Sequence, residues 1–505
     1  MARGDKVYLA VDLGASNGRV VAGLFDGRRL ALEEVYRFDN GGVEAAGHMY
    51  WDVLRLWGDV VAGLRAAQSR YGGRVASVGV DTWGVDFALL GRGDELLGNP
   101  LHYRDRHTAG ILDRAYKIVP REEIFAESGL QFMEFNSLYQ LLAMKLAGSP
   151  VLDAAESMLL MPDLFHWLLT GEKSNEMTDA STTQFYNPRT RDWSRGLLER
   201  FGLPTHILGK LTPPGTRLGR LRKSVAEETG LSDVEVVLPG THDTASAVMA
   251  VPVDAASTSS TGKAAKPTWC YISSGTWSLM GVEVPEPVIS DTCYRLNFTN
   301  EGGVGGTTRL LKNIAGMWLV QECRRIWQQA GRTFEWDELV SLAERSPPHG
   351  PLINPDDARF VAPRDMPAAM VEYLRQNGQS APQSEGAFVR CAFESLALRY
   401  RMVLTWLEQL VEGPIDTIHI VGGGAHNRLL CQMAADATGR RVVAGPTEAT
   451  AIGNLMMQAV AAGDVGSIAE ARQVIRDSFD VQSYEPRDSS AWNESYARFQ
   501  KLLSE

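Results

Sequence analysis

One pattern constrains this chain more than any other, and it occurs twice. In "KVYLAVDLGASNGRVVAGLFD" (6–26) two β-branched runs flank a short Gly/Ser/Asn tip, which reads as a β-hairpin. "WCYISSGTWSLMGVEV" (269–284) repeats strand, small polar loop and strand in the second half. Each hairpin sits in its own run of alternating strands and helices. "VASVGVDTWG" and "VDFALLG" read as strands, and "WDVLRLWGDVVAGLRAAQSRYG" reads as a helix opened by Asp52 and closed by Gly72. "IDTIHIVGGGAHNRLLCQMAADATG" is a strand, a glycine turn and a helix. The expected class is therefore α/β, with two related lobes facing a cleft. Successive N–H groups at the two tips could then hold a nucleotide's phosphates from both sides.

At 505 residues the chain exceeds the size at which one hydrophobic core stops growing, which also argues for two domains. "DAASTSSTGKAAKP" (254–267) is poor in apolar residues and reads as a surface loop or linker near the start of the second. The expected bounds are an N-terminal lobe over 1–247, a C-terminal lobe over 248–485 and a C-terminal helix over 486–505. The net charge of −11 is spread along the chain, with no basic stripe, which argues against a nucleic-acid partner. Five cysteines without a Cys-x-x-Cys pair argue against a disulfide framework and a zinc ribbon, and fit a reducing cytoplasm. The N-terminus lacks the apolar core of a signal peptide, and no run approaches the ~18 apolar residues of a membrane span.

The candidate chemistry lies at strand ends and turns. In "DLGASNGR" Gly14 and Gly18 let the backbone approach a ligand, Ser16, Asn17 and Arg19 add donors, and Asp12 could hold Mg²⁺ through water. A plain hairpin turn is the competing reading. "GASNG" also matches Gly-x-Ser-x-Gly, but "RVVAGLFD" alternates as a strand, so the strand-to-helix turn a nucleophilic Ser16 needs is missing. Asp81 and Trp83 end a strand, where a carboxylate and an aromatic face would suit a sugar; a Trp packed under a hairpin is the alternative. "HYRDRH" (102–107) offers Arg104 and Asp105 to hydroxyls or is a surface turn. In "THDTASAV" (241–248) Asp243 either opens a helix or accepts a proton, and a helix start would favour its ionised form. "SSGTWS" and "VGGGAHN" supply hydroxyls and a glycine turn in the second half. The histidines have no ligand-like spacing, so catalytic zinc is not expected.

Together, "VDLGASNGR", "GVDTWGVDFALL", "FNSLYQL", "LLMPDLF", "HDTASAV", "SSGTWSLMG", "NEGG…LLKN…GMWL", "HIVGGG" and "AGPTEA" occur in this order across nearly the whole chain. The set resembles the FGGY carbohydrate kinases of the actin-like ATPase superfamily. That resemblance implies two actin-like (ribonuclease H-like) lobes, each a mixed sheet flanked by helices, and a monomeric or homodimeric kinase that uses ATP and Mg²⁺. The implied acceptor is a small ketose, L-rhamnulose at O1, with L-fuculose or L-xylulose as alternatives. By motif, Ala15, Ser16, Asn17, Gly18 and Arg19 would contact ATP phosphates, joined by Thr276, Gln321 and Gly423. Trp83, Gly84, His242, Thr244 and Asn313 would hold the sugar, with Asp243 as base and Asp12 as an indirect Mg²⁺ ligand. A non-catalytic sugar-binding regulator on the same fold is the reading from another class.

Overall fold

The computed structural model describes residues 6–253, 266–487 and 490–503, so residues 254–265 of the expected linker lie outside the described residues. The chain divides into two compact units. The first comprises Met1–Ser259, Glu283–Leu310 and Ala449–Phe479; the second comprises Ser260–Val282, Leu311–Glu448 and Asp480–Glu505.

In the first unit the hairpin joins β1 (Lys6–Leu13) to β2 (Asn17–Phe25), followed by β3 (Leu30–Asp39). Helix α1 (Val53–Tyr71) comes next, with Asp52 accepting from the Arg55 N–H at 3.2 Å and Gly72 ending it at φ 54°. Its Leu56, Val60, Leu64 and Ala67 recur at helical spacing and are buried. Then come β4 (Val75–Thr82), β5 (Arg217–Arg220) and β6 (Glu235–Val237), giving a six-stranded sheet in the order β5-β6-β4-β1-β2-β3. β1 is antiparallel to β2 and parallel to β4, and it is buried along nearly its whole length. That burial is why its sequence is an almost unbroken apolar run. Over 120–200 the expected helices form, but a strand at Ser157–Leu160 also pairs antiparallel with Phe87–Leu90. Its four residues are too few to carry a periodic signal.

The second unit repeats the plan. β7 (Trp269–Ser274) is antiparallel to β8 (Trp277–Val284). β9 (Thr299–Gly302) lies in the Glu283–Leu310 segment of the first unit; after it come β10 (Thr308–Ala315), β11 (Thr417–Val421), β12 (Arg441–Ala444) and β13 (Gln482–Tyr484). β7 is parallel to β11, and the strands run β10-β8-β7-β11-β12-β13. The helix expected at the C-terminus spans Ser490–Leu502.

The contact that fixes the site helix comes from late in the chain. α2 (Asp243–Met249) packs against α3 (Ala449–Ala462), and both belong to the first unit. A Cβ added at Gly453 would lie 1.8 Å from the Ser246 carbonyl oxygen, so only glycine permits this approach. Arg472, on α4 (Ile468–Ser478), donates to the carbonyls of Val248 and Met249 and pairs with Glu283 at 2.6 Å. It thereby satisfies acceptors that a helix C-terminus leaves open. Helix propensity alone makes Gly→Ala favourable by about 1 kcal/mol. At Gly453 the clash is with backbone, so Gly453→Ala is expected to cost about 1–3 kcal/mol net. Urea unfolding should show a lower midpoint at unchanged slope; equal or higher stability would contradict the close approach.

Candidate functional site

The parallel pairing of β1 and β4 places Asp12 directly beside Asp81. Asp81 is fully buried; its Oδ2 accepts from Asn454 Nδ2 at 2.6 Å, and its Oδ1 has no hydrogen-bond partner. Burial first, and then the charge of Asp12, pushes the Asp81 carboxyl well above the usual range. Asp12 Oδ2 accepts from Arg19 Nη2 at 2.6 Å, so the expected Mg²⁺ ligand and an expected phosphate donor pair with each other. The tip between them is a tight turn, with the Gly14 N–H on the Asn17 carbonyl at 2.9 Å and Ser16 exposed between flanking Ala15 and Asn17. Strands run on both sides of Ser16, so the hydrolase elbow is absent. Gly18 has a packing reason of its own: a Cβ there would lie 2.3 Å from the Phe38 ring.

Asp243 is the first residue of α2, and no side chain caps that helix. One-third of its side chain, 33%, is open to solvent. Thr244 Oγ1 donates to Asp243 Oδ1 at 3.0 Å, and His242 Nε2 lies 3.4 Å from the same oxygen. The helix-start effect expected from sequence is not the larger influence: burial raises the Asp243 carboxyl above its ordinary value, against the pull of His242 and Thr244. Behind the imidazole, Arg309 Nη2 is 3.0 Å from His242 Nδ1 and 3.2 Å from Glu301 Oε2. A guanidinium can only donate, so in this contact Nδ1 of His242 is the accepting side and Nε2 faces Asp243. Burial acts to raise Glu301, but His242 and the Arg309 charge outweigh it and leave this carboxyl below the usual range.

The backbone of this segment is clamped as well. Thr241 donates from N–H and Oγ1 to Glu176 Oε2 at 3.1 and 2.7 Å, and the His242 N–H donates to Thr178 Oγ1 at 3.2 Å. The Glu176 N–H donates to Asp163 Oδ1 at 3.0 Å, which gives the aspartate of "LLMPDLF" its role.

Trp83 is only 6% exposed and stacks on Trp51 at 3.9 Å, which is the packing alternative weighed from sequence. Asp86 accepts from Trp51, Trp83, Gln140 and the Tyr103 N–H, and burial lifts its carboxyl to about 7. Asp105 is already occupied, accepting from the His107 N–H of its own turn at 2.8 Å and from the Met49 N–H of a separate strand at 2.7 Å. Gly84 has no room for a side chain: a Cβ would sit 2.9 Å from Thr182 Cγ2 and 3.2 Å from Asp179 Oδ1.

In the second unit three expected nucleotide contacts gather at one hairpin tip. The Met317 and Trp318 N–H groups donate to the carbonyls of Gly275 and Thr276, which seats the tip on α5 (Trp318–Gln329), the helix of Gln321. A Cβ at Gly424 would lie 2.0 Å from Ser274 Oγ, so the glycine turn packs against the same hairpin, with Gly423 exposed beside it. Asn313 lies half-buried on β10. Glu301, Arg309 and Asn454 were not singled out from sequence. Glu301 stands in the quoted "NEGG", and Asn454 interrupts the apolar run "AIGNLMMQA", but only tertiary packing shows what each meets.

The residues fit Mg²⁺ carried with a nucleotide. Asp81 Oδ1 is an orphaned carboxylate oxygen beside Asp12, and hard oxygen donors suit an ion that keeps several waters. Among the described residues no group of three or more His, Cys, Asp or Glu could form a cage of its own. No helix among them is long and apolar enough to cross a membrane.

The chain belongs to the FGGY family of carbohydrate kinases: residues 7–250 match its N-terminal domain and residues 270–462 its C-terminal domain. It is 45% identical to the rhamnulokinase of Bacteroides thetaiotaomicron over 98% of this chain and 99% of that one. It is 40% identical to the rhamnulokinase of Halalkalibacterium halodurans, over 95% of this chain and 99% of that one. The fold matches gluconate kinase and ligand-bound xylulose kinase of Lactobacillus acidophilus, each with TM-score 0.77 over 99% of this chain and 96% of that one, at 16% and 17% identity. The fold is thus the two-domain, actin-like one that the sequence motifs implied.

Arg309→Met is expected to destabilise the protein at pH 7 by about 3–5 kcal/mol, because it removes the guanidinium that faces the buried Glu301 carboxylate. In the native protein Glu301 lies low, so its contribution persists above the free-carboxyl value and is lost only below it. Without the guanidinium, burial shifts the Glu301 carboxyl upward, so the folded form gains protons as the pH falls. The deficit should therefore shrink between pH 7 and pH ~5 in chemical unfolding. A deficit independent of pH would show that the pair does not hold Glu301 ionised.

Proposed function

We propose that this chain transfers the γ-phosphoryl group of ATP to O1 of L-rhamnulose in the cytoplasm, giving L-rhamnulose 1-phosphate and ADP in L-rhamnose catabolism. The observation that carries the reading is the placement of Asp243: a carboxylate partly open to solvent, held by Thr244 and backed by the His242–Arg309–Glu301 chain. The likeness to rhamnulokinases over nearly the whole chain supports the choice of acceptor.

Phosphoryl transfer asks the protein mainly for positioning and charge stabilisation. Asp243 accepts the proton of the O1 hydroxyl as that oxygen bonds to the γ-phosphorus and the bond to ADP breaks. Its raised proton affinity suits that task, because a stronger base takes the proton more readily as the alkoxide develops. His242 faces the carboxylate through Nε2 and fixes its orientation. Gly84, Thr244 and Asn313 hold the sugar. Ala15 to Arg19 of the first hairpin and Thr276, Gln321 and Gly423 of the second unit hold the nucleotide. Asp12 and Asp81 would hold Mg²⁺ brought with the nucleotide, and that ion would neutralise charge on the phosphates. Arg19, which pairs with Asp12 here, exchanges that partner for a phosphate.

Asp243→Asn keeps the side-chain shape and should lower kcat by about 10²–10⁴, with ATP binding nearly intact. Near-normal turnover would remove Asp243 from the role of base. In the unsubstituted enzyme the reacting form is the ionised carboxylate, whose folded-state value is raised. Activity should therefore fall on acidification at a pH above the ~4 of a free carboxyl, and a kcat/KM profile flat down to pH ~4 would contradict this. A panel of L-rhamnulose, L-fuculose and L-xylulose with coupled ADP detection tests the acceptor. Turnover of another ketose without L-rhamnulose would overturn it.

A further inference from the structure

Asp179 lies in a one-turn helix, Met177–Ala180, is 0% exposed, and neither of its carboxyl oxygens has a hydrogen-bond partner. The hydroxyls nearest in sequence are committed elsewhere. Thr178 Oγ1 donates to Glu176, and Thr182 Oγ1 donates to the Asp179 carbonyl at 2.8 Å. The charged groups acting on it, Asp163, Glu176, Asp243 and Asp86, are all acids. The fold gains nothing from such a group. A buried polar side chain without a partner costs stability, and an apolar one of the same shape would be neutral or better. Local rules are broken in this way chiefly at functional sites.

The direction of the side chain says what the group is for. Asp179 Oδ1 lies 3.2 Å from the point a Cβ of residue 84 would occupy, so its carboxyl is turned to the bare backbone of Gly84. The same carboxyl feels the charge of Asp243, which sits on the segment clamped through Thr178 and Glu176. We propose that Asp179 is a specificity-determining residue that reaches past Gly84 to hydrogen-bond a hydroxyl of the acceptor sugar. The inference rests on the ketose-kinase reading above. Burial, reinforced by the neighbouring acids, lifts the Asp179 carboxyl well above the usual range, which favours its protonated form. In that form it offers a sugar hydroxyl one O–H donor and a carbonyl acceptor. A site built to hydrogen-bond a particular hydroxyl strongly rejects the analogue that lacks or misplaces it.

The test compares the unsubstituted chain with Asp179→Leu and Asp179→Asn. A ligand-binding Asp179 predicts that Leu leaves the melting temperature unchanged or higher and KM for ATP unchanged, while kcat/KM for the ketose falls about 10–10²-fold, the effect of one strong hydrogen bond. Asn presents the same donor-and-acceptor edge and should stay within about threefold of the parent. Ketose kinetics unaltered in the Leu variant would overturn the proposal, as would an equal loss in the Asn variant. If the Leu variant does not fold, Asp179→Ala takes its place with the same expected outcomes. Should the unsubstituted chain phosphorylate none of the ketoses, the kinase reading fails on its own. Asp179 is then judged from ketose-induced thermal shifts, where equal shifts in parent and Leu variant overturn it.

Discussion

The first unit depends on how closely α3 approaches α2. Gly453 lets the backbones meet at the Ser246 carbonyl, and that single close crossing has two further effects. One turn of α3 brings Asn454 to Asp81 and Gln458 to Ser77 and the Leu9 carbonyl, so the sheet and the helix that starts at Asp243 share a neighbour. Arg472 on the following helix then closes the far end of α2. Packed interiors transmit small displacements and do not absorb them. A shift of α3 therefore moves Asp243 relative to Asp12 and Asp81.

That dependence explains what could be read from the sequence and what could not. The hairpins, the Asp52-capped helix and the glycine turn before α6 (Arg428–Thr438) follow from local periodicity and punctuation, and the structure contains each of them. The motif order implied the family, which the matched domains bear out. Partnerships made across long stretches of chain were out of reach. Asn454 and Asp81 are separated by 373 positions, and nothing in the spacing of either announces the other. Arg309 looks like an ordinary strand residue in "TTRLLKN", yet it is fully buried between His242 and Glu301. The helix-start argument for Asp243 failed in emphasis for a related reason. A dipole effect can be written from sequence, whereas desolvation depends on which atoms surround the group.

The same desolvation runs through the buried carboxyls of the first unit. Asp81, Asp86, Asp163, Glu176, Asp179 and Asp243 all titrate above their ordinary values, each with burial as the main cause. Glu301 is the contrast: it shares their burial but has a guanidinium and an imidazole against it, and it stays low. Carboxyls gathered in this way, with Asp243 partly open to solvent, give a surface that hydrogen-bonds neutral hydroxyls well and repels bare phosphate. An uncharged sugar suits such a surface, and a nucleotide does not unless cations accompany its phosphates. The chemistry of the donors divides in the same way. Carboxyls gather around Asp243, while the second unit's hairpin tip offers a hydroxyl, an amide and glycine-rich backbone at Thr276, Gln321 and Gly423. On the proposed reading, this difference tells acceptor from donor before any transfer takes place. It also places the demand for neutralising charge at Asp12, whose only hydrogen-bonded cation among the described contacts, Arg19, stands at the tip of the first hairpin.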